Sequence, residues 1–435
     1  MFSSFFRDTN KMKITPKETN AYTRELFVSV PWTELEEHFD GVVSHFKKNV
    51  KLPGFRKGKV PRNKVLQQFG AEIEADFAQQ SVERYYAQAL DEQALHPVNR
   101  AEVKDLDFTR GNELSFTVVF EVEPKVNLPK YSKKIKVTRK LYISDDEDVD
   151  RYLFDLRQHQ AELKTVESGS EESHLLLVDM QELDETGYPI VGRRVEDRYI
   201  KVGEGVFGGD NLNLLTGLSA DDTVRISIPT ESGSTAYELT VKNVQQEILP
   251  EVDEEFIKKM DPEAETEEDL RNNIAKGISK RLEKDSETQL RKNIISWFVE
   301  QTSLEVPPSM IDNYLDNLVE DIRSRNGETL DEDKYRSEMR SSTERSVKWY
   351  LIRKALIITE AIEVSDEELK DEVSSIVESV SGSGQSKEIE RFYKKPSNRD
   401  SLLSELIEKK LFALLKSYAK IDEVEIQTSE LRKQG

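Results

Sequence analysis

The chain of 435 residues contains no cysteine. This absence excludes disulfides, thiol nucleophiles, iron–sulfur clusters and cysteine-type zinc sites. No apolar run approaches the roughly 18 residues that a membrane span requires. The N-terminal segment also lacks the continuous apolar core of a signal peptide, and no Asn-x-Ser/Thr sequon occurs. The sequence therefore predicts a soluble cytoplasmic protein without a membrane partner.

Histidine is also scarce, and basic residues are outnumbered. The five histidines (38, 45, 96, 159 and 174) are scattered without metal-site spacing, and no Gly-x-Ser-x-Gly elbow is present. The chain has 63 Lys+Arg against 84 Asp+Glu, a formal net charge of −21. Such a chain does not coat nucleic acid with its whole surface, although a local basic patch still can. The acidic runs at 145–148 and 366–368 are more typical of helix starts than of calcium sites.

Two glycine-rich stretches resemble phosphate-binding loops, but neither fits one. Residues 54–60 are one residue short of a Walker loop and lack Ser/Thr after the lysine. Residues 203–208 match GxGxxG and follow a predicted strand. However, Gly209-Asp-Asn-Leu-Asn after them is not expected to open a good helix, and no βαβ unit surrounds them. No ATP, NAD or other cofactor is therefore expected.

Hydrophobic patterning predicts an α+β multidomain chain that begins with an α/β domain over residues 12–126. Alternation or helical spacing of apolar residues predicts strands over Tyr22–Val30 and Glu113–Val122, and helices over Trp32–Phe46 and Arg62–Leu95. The second helix is expected to break near its Gly70.

Residues 127–173 are predicted to form a linker. It holds a polar helix that is opened by a capping box at Ser144–Glu147 and runs to about Val166. Residues 174–248 are predicted to be a β-rich insert. Its expected strands are Leu175–Val178, Tyr199–Val202, Val224–Ile228 and Tyr237–Val244.

Residues 249–435 are predicted to be almost all helical. Helix starts are expected at Thr266-x-x-Asp269, Ser309-x-x-Asp312 and Ser365-x-x-Glu368, with long helices ending near Thr302, Arg325 and Ile362. Apolar stripes on these helices are usually core. Long helices joined by short turns can instead form a body with extended arms, whose exposed apolar patches would bind unfolded or apolar partners. The stripes comprise Tyr314, Leu315, Leu318, Val319 and Ile322; Trp349, Tyr350, Ile352 and 356–358; and Leu402, Leu403, Leu406, Ile407, Leu411, Phe412, Leu414 and Leu415.

The sharpest feature is a basic stretch in the first domain. Residues 41–71 contain no acidic residue but eight basic ones: Lys47, Lys48, Lys51, Arg56, Lys57, Lys59, Arg62 and Lys64. Two glycines and two prolines in Leu52–Pro61 predict a tight, pre-shaped loop. Phe55 and Arg56 at its apex combine an aromatic anchor with a bidentate donor. The alternative is a solvated basic turn, which the phenylalanine disfavours, so RNA or a ribonucleoprotein surface is the expected partner.

These features resemble the trigger factor family of bacterial ribosome-associated chaperones. The most specific similarity is Gly54-Phe-Arg-Lys-Gly-Lys-Val-Pro61, supported by Phe116–Pro124, Leu156–Leu163 and Leu249–Ile257. The resemblance runs from Met12 to the end, and residues 1–11 have no counterpart in it. It implies that the loop docks on the large ribosomal subunit beside the exit tunnel. The residues implied are Gly54, Phe55, Arg56, Lys57, Gly58, Lys59 and Pro61.

The same resemblance implies that the helical region cradles unfolded nascent polypeptides without ATP, and that the free protein can form a homodimer. It also implies that the insert is a prolyl isomerase domain of the FKBP type. In the family this pocket reads Gly-x-Gly-x-x-Ile-Pro-Gly-Phe-Glu, followed by Leu-x-Gly. The chain keeps Gly203, Gly205 and Leu215-Thr-Gly217, but Ile-Pro-Gly-Phe has become Gly208-Gly209-Asp210-Asn211. The later Phe-Pro-x-x-Tyr has become Ile228-Pro229-Thr-Glu-Ser232.

The candidate pocket is therefore degenerate, and its residues are Tyr199, Phe207, Gly208, Gly209, Asn211 and Ile228. Rotation about an X–Pro bond meets a barrier of about 18–20 kcal/mol, which a dry apolar pocket lowers by favouring the twisted amide. Glycine and asparagine in place of apolar walls are expected to open and wet the pocket. The expectation is a retained fold with weak or absent isomerase activity. The alternatives are an active prolyl isomerase and a ribosome-binding factor without a client role.

Overall fold

The computed structural model describes residues 11–56, 58–230, 233–326, 331–379 and 386–433. The chain groups into two compact units, residues 1–138 with 290–422 and residues 139–289 with 423–435. The strands are β1 Lys13–Glu18, β2 Thr23–Pro31, β3 Glu102–Thr109, β4 Glu113–Glu121, β5 Lys136–Ile143, β6 Glu162–Thr165, β7 Leu175–Leu183, β8 Pro189–Lys201, β9 Thr223–Thr230, β10 Gly233–Ile248 and β11 Lys420–Gln427. The helices are α1 Trp32–Asn49, α2 Arg62–Gln93, α3 Asp146–His159, α4 Asp210–Leu215, α5 Glu254–Met260, α6 Glu267–Gln301, α7 Pro308–Asn326, α8 Glu332–Thr359, α9 Asp366–Ser379, α10 Ser386–Tyr393, α11 Pro396–Tyr418 and α12 Thr428–Arg432.

The N-terminal part of the first unit is a four-stranded antiparallel sheet, in the order β1-β2-β4-β3, covered by α1 and α2. Alternate residues of β4 are buried as predicted, and they pack in one core with Phe39 and Phe77, whose rings meet edge to face 5.1 Å apart. The predicted break in α2 is confirmed by the non-helical backbone of Phe69, next to Gly70. The edge strands β1 and β3 were not predicted, because nearly all of their side chains are exposed and no apolar alternation marks them.

The rest of the first unit is a set of packed helices around a core that includes Phe298, Ile352 and Phe412. The residues of the predicted apolar stripes mostly lie in this and neighbouring cores, whereas Tyr314, Tyr350 and Ile358 are exposed. The helix start predicted at Ser309 is displaced, because α7 begins at Pro308. Ser309 lies inside α7, and both its N–H and its hydroxyl donate to the carboxylate of Glu121 from the N-terminal sheet.

The predicted capping boxes at Thr266–Asp269 and Ser365–Glu368 are present. The capping box of α3 is shifted by one residue from its prediction. The carboxylate of Asp145 accepts the N–H of Asp148, and the carboxylate of Asp148 accepts the N–H of Asp145. Residues 249–435 also contain one strand, β11, which pairs with β5 and was not predicted.

The β-rich insert lies in the second unit as an antiparallel sheet, in the order β6-β10-β7-β8, with β9 also paired to β10. All four predicted strands are present and are longer than expected. The helix predicted to reach Val166 ends at His159, and β6 follows it to extend the sheet from within the predicted linker. A short helix, α4, does follow the GxGxxG stretch, contrary to the sequence-based expectation. The antiparallel pairing nevertheless leaves no βαβ unit around it among the described residues.

No helix within the described ranges has both the length and the apolar composition needed to cross a bilayer.

Candidate functional site

The predicted basic loop forms the tip of the hairpin made by α1 and α2. Val60 is fully buried and Leu52 is half-buried, and both pack against the core of the N-terminal sheet. Two backbone hydrogen bonds shape the apex: the N–H of Phe55 donates to the carbonyl of Leu52 at 3.1 Å, and the N–H of Lys59 to that of Arg56 at 2.9 Å. Apolar side chains on both sides of the apex, Leu52 before it and Val60 after it, therefore anchor the tip to the core.

Glycine is required at two positions of this tip. Gly54 has φ +86° and Gly58 has φ +78°, a backbone region that strains residues with a side chain. Pro61 is the residue that precedes the first turn of α2, and its carbonyl accepts the N–H groups of Lys64 and Val65. The loop shape thus depends on the two glycines and on Pro61.

The side chains at the apex face solvent. Phe55 is 42 % exposed, although a phenylalanine is among the residues most often buried. Among the described residues, no carboxylate lies within ion-pairing distance of five cations of the tip. They are Lys47, Lys48, Lys51, Arg56 and Lys59. Arg62, by contrast, pairs with Asp40. Lys57, which the sequence places at the same apex, lies outside the described residues.

A second candidate site is an open depression of about 620 Å³ on the insert, beside the end of α3. Its lining includes His159, Leu175, Tyr199 and Phe207. At its side, Lys201 and Glu247 form an ion pair with 2.7 Å between Nζ and Oε2. These two residues were not singled out from the sequence, because they lie 46 positions apart and belong to no motif.

Only two of the six predicted pocket residues, Tyr199 and Phe207, line this depression. The structure explains the two glycines as requirements of the turn. A Cβ on Gly208 would stand 2.7 Å from the carbonyl oxygen of Gly203, and Gly209 has φ +59°. Ile228 is half-buried and packs against the core of the insert.

The sequence predicted that Asn211 would open the pocket to solvent, but the structure shows that it does not. Its side chain is buried, and Nδ2 donates to the carbonyl oxygens of Val206 and Ser227, both at 2.8 Å. The amide therefore ties the turn before α4 to β9. Asn211 thus replaces the aromatic wall of the family pattern with a buried amide, whose N–H groups already donate to these two carbonyl oxygens. Ser232, also named in the sequence comparison, lies outside the described residues.

The strongest electrostatic feature of the insert is a cluster around Asp179. This carboxylate is 7 % exposed, and it lies 2.7 Å from Nζ of Lys242 and 2.6 Å from Nη2 of Arg194. It also accepts the N–H of Asp197 at 3.0 Å. The hydrogen bond from Lys242 is the main cause that holds the pKa of Asp179 far below its usual range, and Arg194 adds to it. All of these charges are satisfied within the sheet, so the cluster stabilises the fold.

Comparison with known proteins agrees with this architecture. A family model described as "Bacterial trigger factor protein (TF)" matches residues 12–156, and one described as "Bacterial trigger factor protein (TF) C-terminus" matches residues 266–417. The trigger factor of Bacillus subtilis (strain 168) is 30% identical over 369 residues, which cover 80% of this chain and 86% of the relative. That of Geobacter metallireducens is 26% identical and covers 95% and 99% of the two chains.

A solved structure described as "Promiscuous Substrate Recognition in Folding and Assembly Activities of the Trigger Factor Chaperone" is similar over nearly the whole length. It covers 93% of this chain and 98% of its own, with 21% identity and a TM-score of 0.51. At this level of identity the likeness shows the fold. The two matched family segments flank residues 157–265, which contain the insert.

Proposed function

The chain belongs to the bacterial trigger factor family, and on that premise we propose that it is an ATP-independent chaperone. In this proposal it docks at the ribosomal exit tunnel and shields nascent polypeptides while they fold. The observation that carries the proposal is the hairpin tip. It presents an exposed phenylalanine and five cations that pair with no carboxylate in the described part of the chain, on a loop whose shape is set by buried anchors and two glycines.

The parts of the chain would then divide the work. Residues 12–126 would dock on the large subunit, 127–173 would connect, 174–248 would form the FKBP-like domain, and 249–435 would form the body and arms that hold clients. Since β6 joins the sheet of the insert, that domain would begin near Glu162. Cytoplasmic location and a homodimer of the free protein belong to the same proposal, and sedimentation of the free protein at several concentrations would test the dimer.

Docking through the tip would combine two physical contributions. Phe55 would enter an apolar hollow, while Arg56 would donate paired hydrogen bonds to an anionic acceptor. The unpaired lysines around them would add long-range attraction that is screened by salt. Raising the salt concentration from about 50 to 200 mM should therefore weaken docking by about tenfold or more.

Co-sedimentation with ribosomes tests the docking role. The variant Phe55→Ala/Arg56→Ala/Lys57→Ala should lose ribosome binding, because it removes the anchor and its neighbouring donors. A matched control is Lys104→Ala/Leu106→Ala/Arg110→Ala, which removes two cations and an exposed apolar side chain from another edge of the same domain. Binding that survives in the tip variant, or that is equally lost in the control, would contradict the assignment. Salt-insensitive binding would contradict its electrostatic account.

For the insert we propose weak or absent prolyl isomerase activity. The supporting observation is Asn211, a buried and fully engaged amide where the family has an apolar wall. Four of the six candidate residues also lie away from the depression that Tyr199 and Phe207 line. In a refolding assay limited by an X–Pro bond, the full-length protein should leave the rate near its uncatalysed value. Strong catalysis would instead support the alternative, an active isomerase that assists nascent chains.

A client role distinguishes this proposal from a ribosome-binding factor alone. The protein should suppress aggregation of a chemically unfolded protein without added nucleotide. The tip variant should do so as well as the wild type, because the apolar surface of the helical region is untouched. If the wild type does not suppress aggregation, the alternative of a ribosome-binding factor without a client role would be favoured.

A further inference from the structure

The helices α9, α10 and α11 enclose an apolar groove of about 410 Å³. Leu369, Val373 and Tyr393 line it, and Leu369 is buried in a small core with Leu402 and Leu406. The volume lies at the lower end of the range of about 300–1,000 Å³ that is usual for ligand pockets. It therefore suits one or two side chains of a polypeptide.

Cations dominate the edge of this groove. Lys370, Lys394 and Arg399 contribute to its lining, against one carboxylate, Glu390. Arg399 pairs with Asp366 at 2.9 Å. Within the part of the chain that the structure describes, Lys370 and Lys394 have no carboxylate at ion-pairing distance.

Two acids on α9, Glu368 and Glu372, are engaged elsewhere, whereas Glu367 and Asp371 form no ion pair among the described residues. Glu368 lies 2.6 Å from Nζ of Lys410, and Glu372 lies 3.5 Å from Nζ of Lys409. The stretch 387–399 holds five basic and two acidic residues, whereas the whole helical region from residue 249 holds 30 basic and 42 acidic ones. The lining of the groove therefore carries more cations than carboxylates, although the helical region as a whole is acidic.

We propose that this groove is a client subsite for an apolar side chain whose neighbours in an unfolded polypeptide are Asp or Glu. The apolar lining would gain roughly 25 cal/mol for each Å² of apolar surface removed from water. The two unpaired ammonium groups would meet the flanking carboxylates. The net negative charge of the helical region repels such a segment, so the subsite would extend the range of clients that this region holds to sequences that its charge disfavours. This inference rests on the proposed client role.

Two fluorescein-labelled peptides with the same central Leu-Phe-Leu test it, one flanked by glutamates and one by lysines. Fluorescence anisotropy with the full-length protein should show binding of the glutamate-flanked peptide. Lys370→Gln/Lys394→Gln should weaken that binding about tenfold and leave the lysine-flanked peptide unchanged. The control Lys276→Gln/Lys280→Gln removes two exposed cations of α6 and should change neither affinity. Val373→Ser keeps the charges of the groove. It should weaken binding of the glutamate-flanked peptide only because an apolar contact is lost.

The possible outcomes distinguish a failure of the groove proposal from a failure of the proposed client role. Equal loss in the groove variant and the control, or no loss in either, would overturn the inference while leaving the client role intact. Failure of the wild type to bind either peptide would overturn the client role, and the inference with it. Self-association that disappears in Lys370→Gln/Lys394→Gln would show that a second copy of the chain occupies the groove, which also overturns the inference.

Discussion

The hairpin tip and the Asp179 cluster are both rich in charge, but their charges are used in opposite ways. In the tip, five cations have no described carboxylate at ion-pairing distance, and buried apolar anchors and two glycines maintain the loop shape. In the insert, Arg194 and Lys242 converge on one nearly buried carboxylate, which also accepts a backbone N–H. A charge that is satisfied within the fold stabilises it, whereas a charge held without a partner on a rigid loop is available to another molecule.

The largest expected effect comes from one matched substitution in each region. Arg56→Gln should lower ribosome affinity by about tenfold or more, since a hydrogen bond to a charged group contributes about 1.5–3 kcal/mol, and it should leave thermal unfolding unchanged. Arg194→Gln should leave ribosome affinity unchanged and lower the unfolding midpoint of the insert. Co-sedimentation measures the ribosome affinity of each variant, and calorimetry measures its unfolding midpoint. A fall in ribosome affinity for Arg194→Gln would break the distinction between the two regions.

The second prediction concerns Asp179 and pH. Its pKa is depressed in the folded insert, so its stabilising contribution is complete above its unfolded pKa of about 3.9 and is lost progressively as the pH falls from there towards the lower folded pKa. Unfolding of the insert should therefore be insensitive to pH between about 5 and 7 and should occur at lower temperature below about pH 4. Asp179→Asn should lower the midpoint by at least about 5 °C at pH 7 and flatten the decline in acid.

Calorimetry measures this midpoint, and hydrogen exchange of β7 and β10 assigns the transition to the insert. Tryptophan fluorescence would not report it, because Trp32, Trp297 and Trp349 all lie outside the insert. A control is Glu196→Gln, whose carboxylate is largely exposed and lies 3.3 Å from Nε of Arg194. An equal loss of stability in that control would mean that burial of Asp179 is not what matters.

The contrast between the two regions could be predicted from the sequence only in part. The tip is visible because its cations cluster within residues 47–64, without an acidic residue between them and next to glycine and proline, so the sequence alone shows both the charge and the turn. The Asp179 cluster is not visible, since its members come from β7, β8 and β10 and meet only when the sheet forms. The ion pair of Lys201 with Glu247 could not be predicted either, because it joins β8 to β10 only in the folded sheet.

Secondary structure shows the same limit. Strand β4 was predicted because one of its faces is buried and alternation follows, whereas β1, β3 and β11 have mostly exposed side chains and are defined by backbone pairing. Asn211 shows the converse case. Its position in the degenerate motif was identified, but the burial of its amide depends on carbonyl groups that the turn before α4 and strand β9 supply.

The smallest expected effect lies inside the tip itself, at the one cation that resembles those of the insert. Arg62 pairs with Asp40, but both side chains are nearly half exposed, so the pair should contribute less than about 0.5 kcal/mol to folding. Asp40→Asn removes the partner and leaves Arg62 as a further unpaired cation beside the loop. Ribosome affinity should then rise about twofold at low salt and return to the wild-type value at high salt, with no change in the unfolding midpoint. Asp76→Asn, a half-buried carboxylate farther along α2 that forms no ion pair among the described residues, is the control. An unchanged affinity for Asp40→Asn would show that the tip depends on its apex rather than on its total free charge.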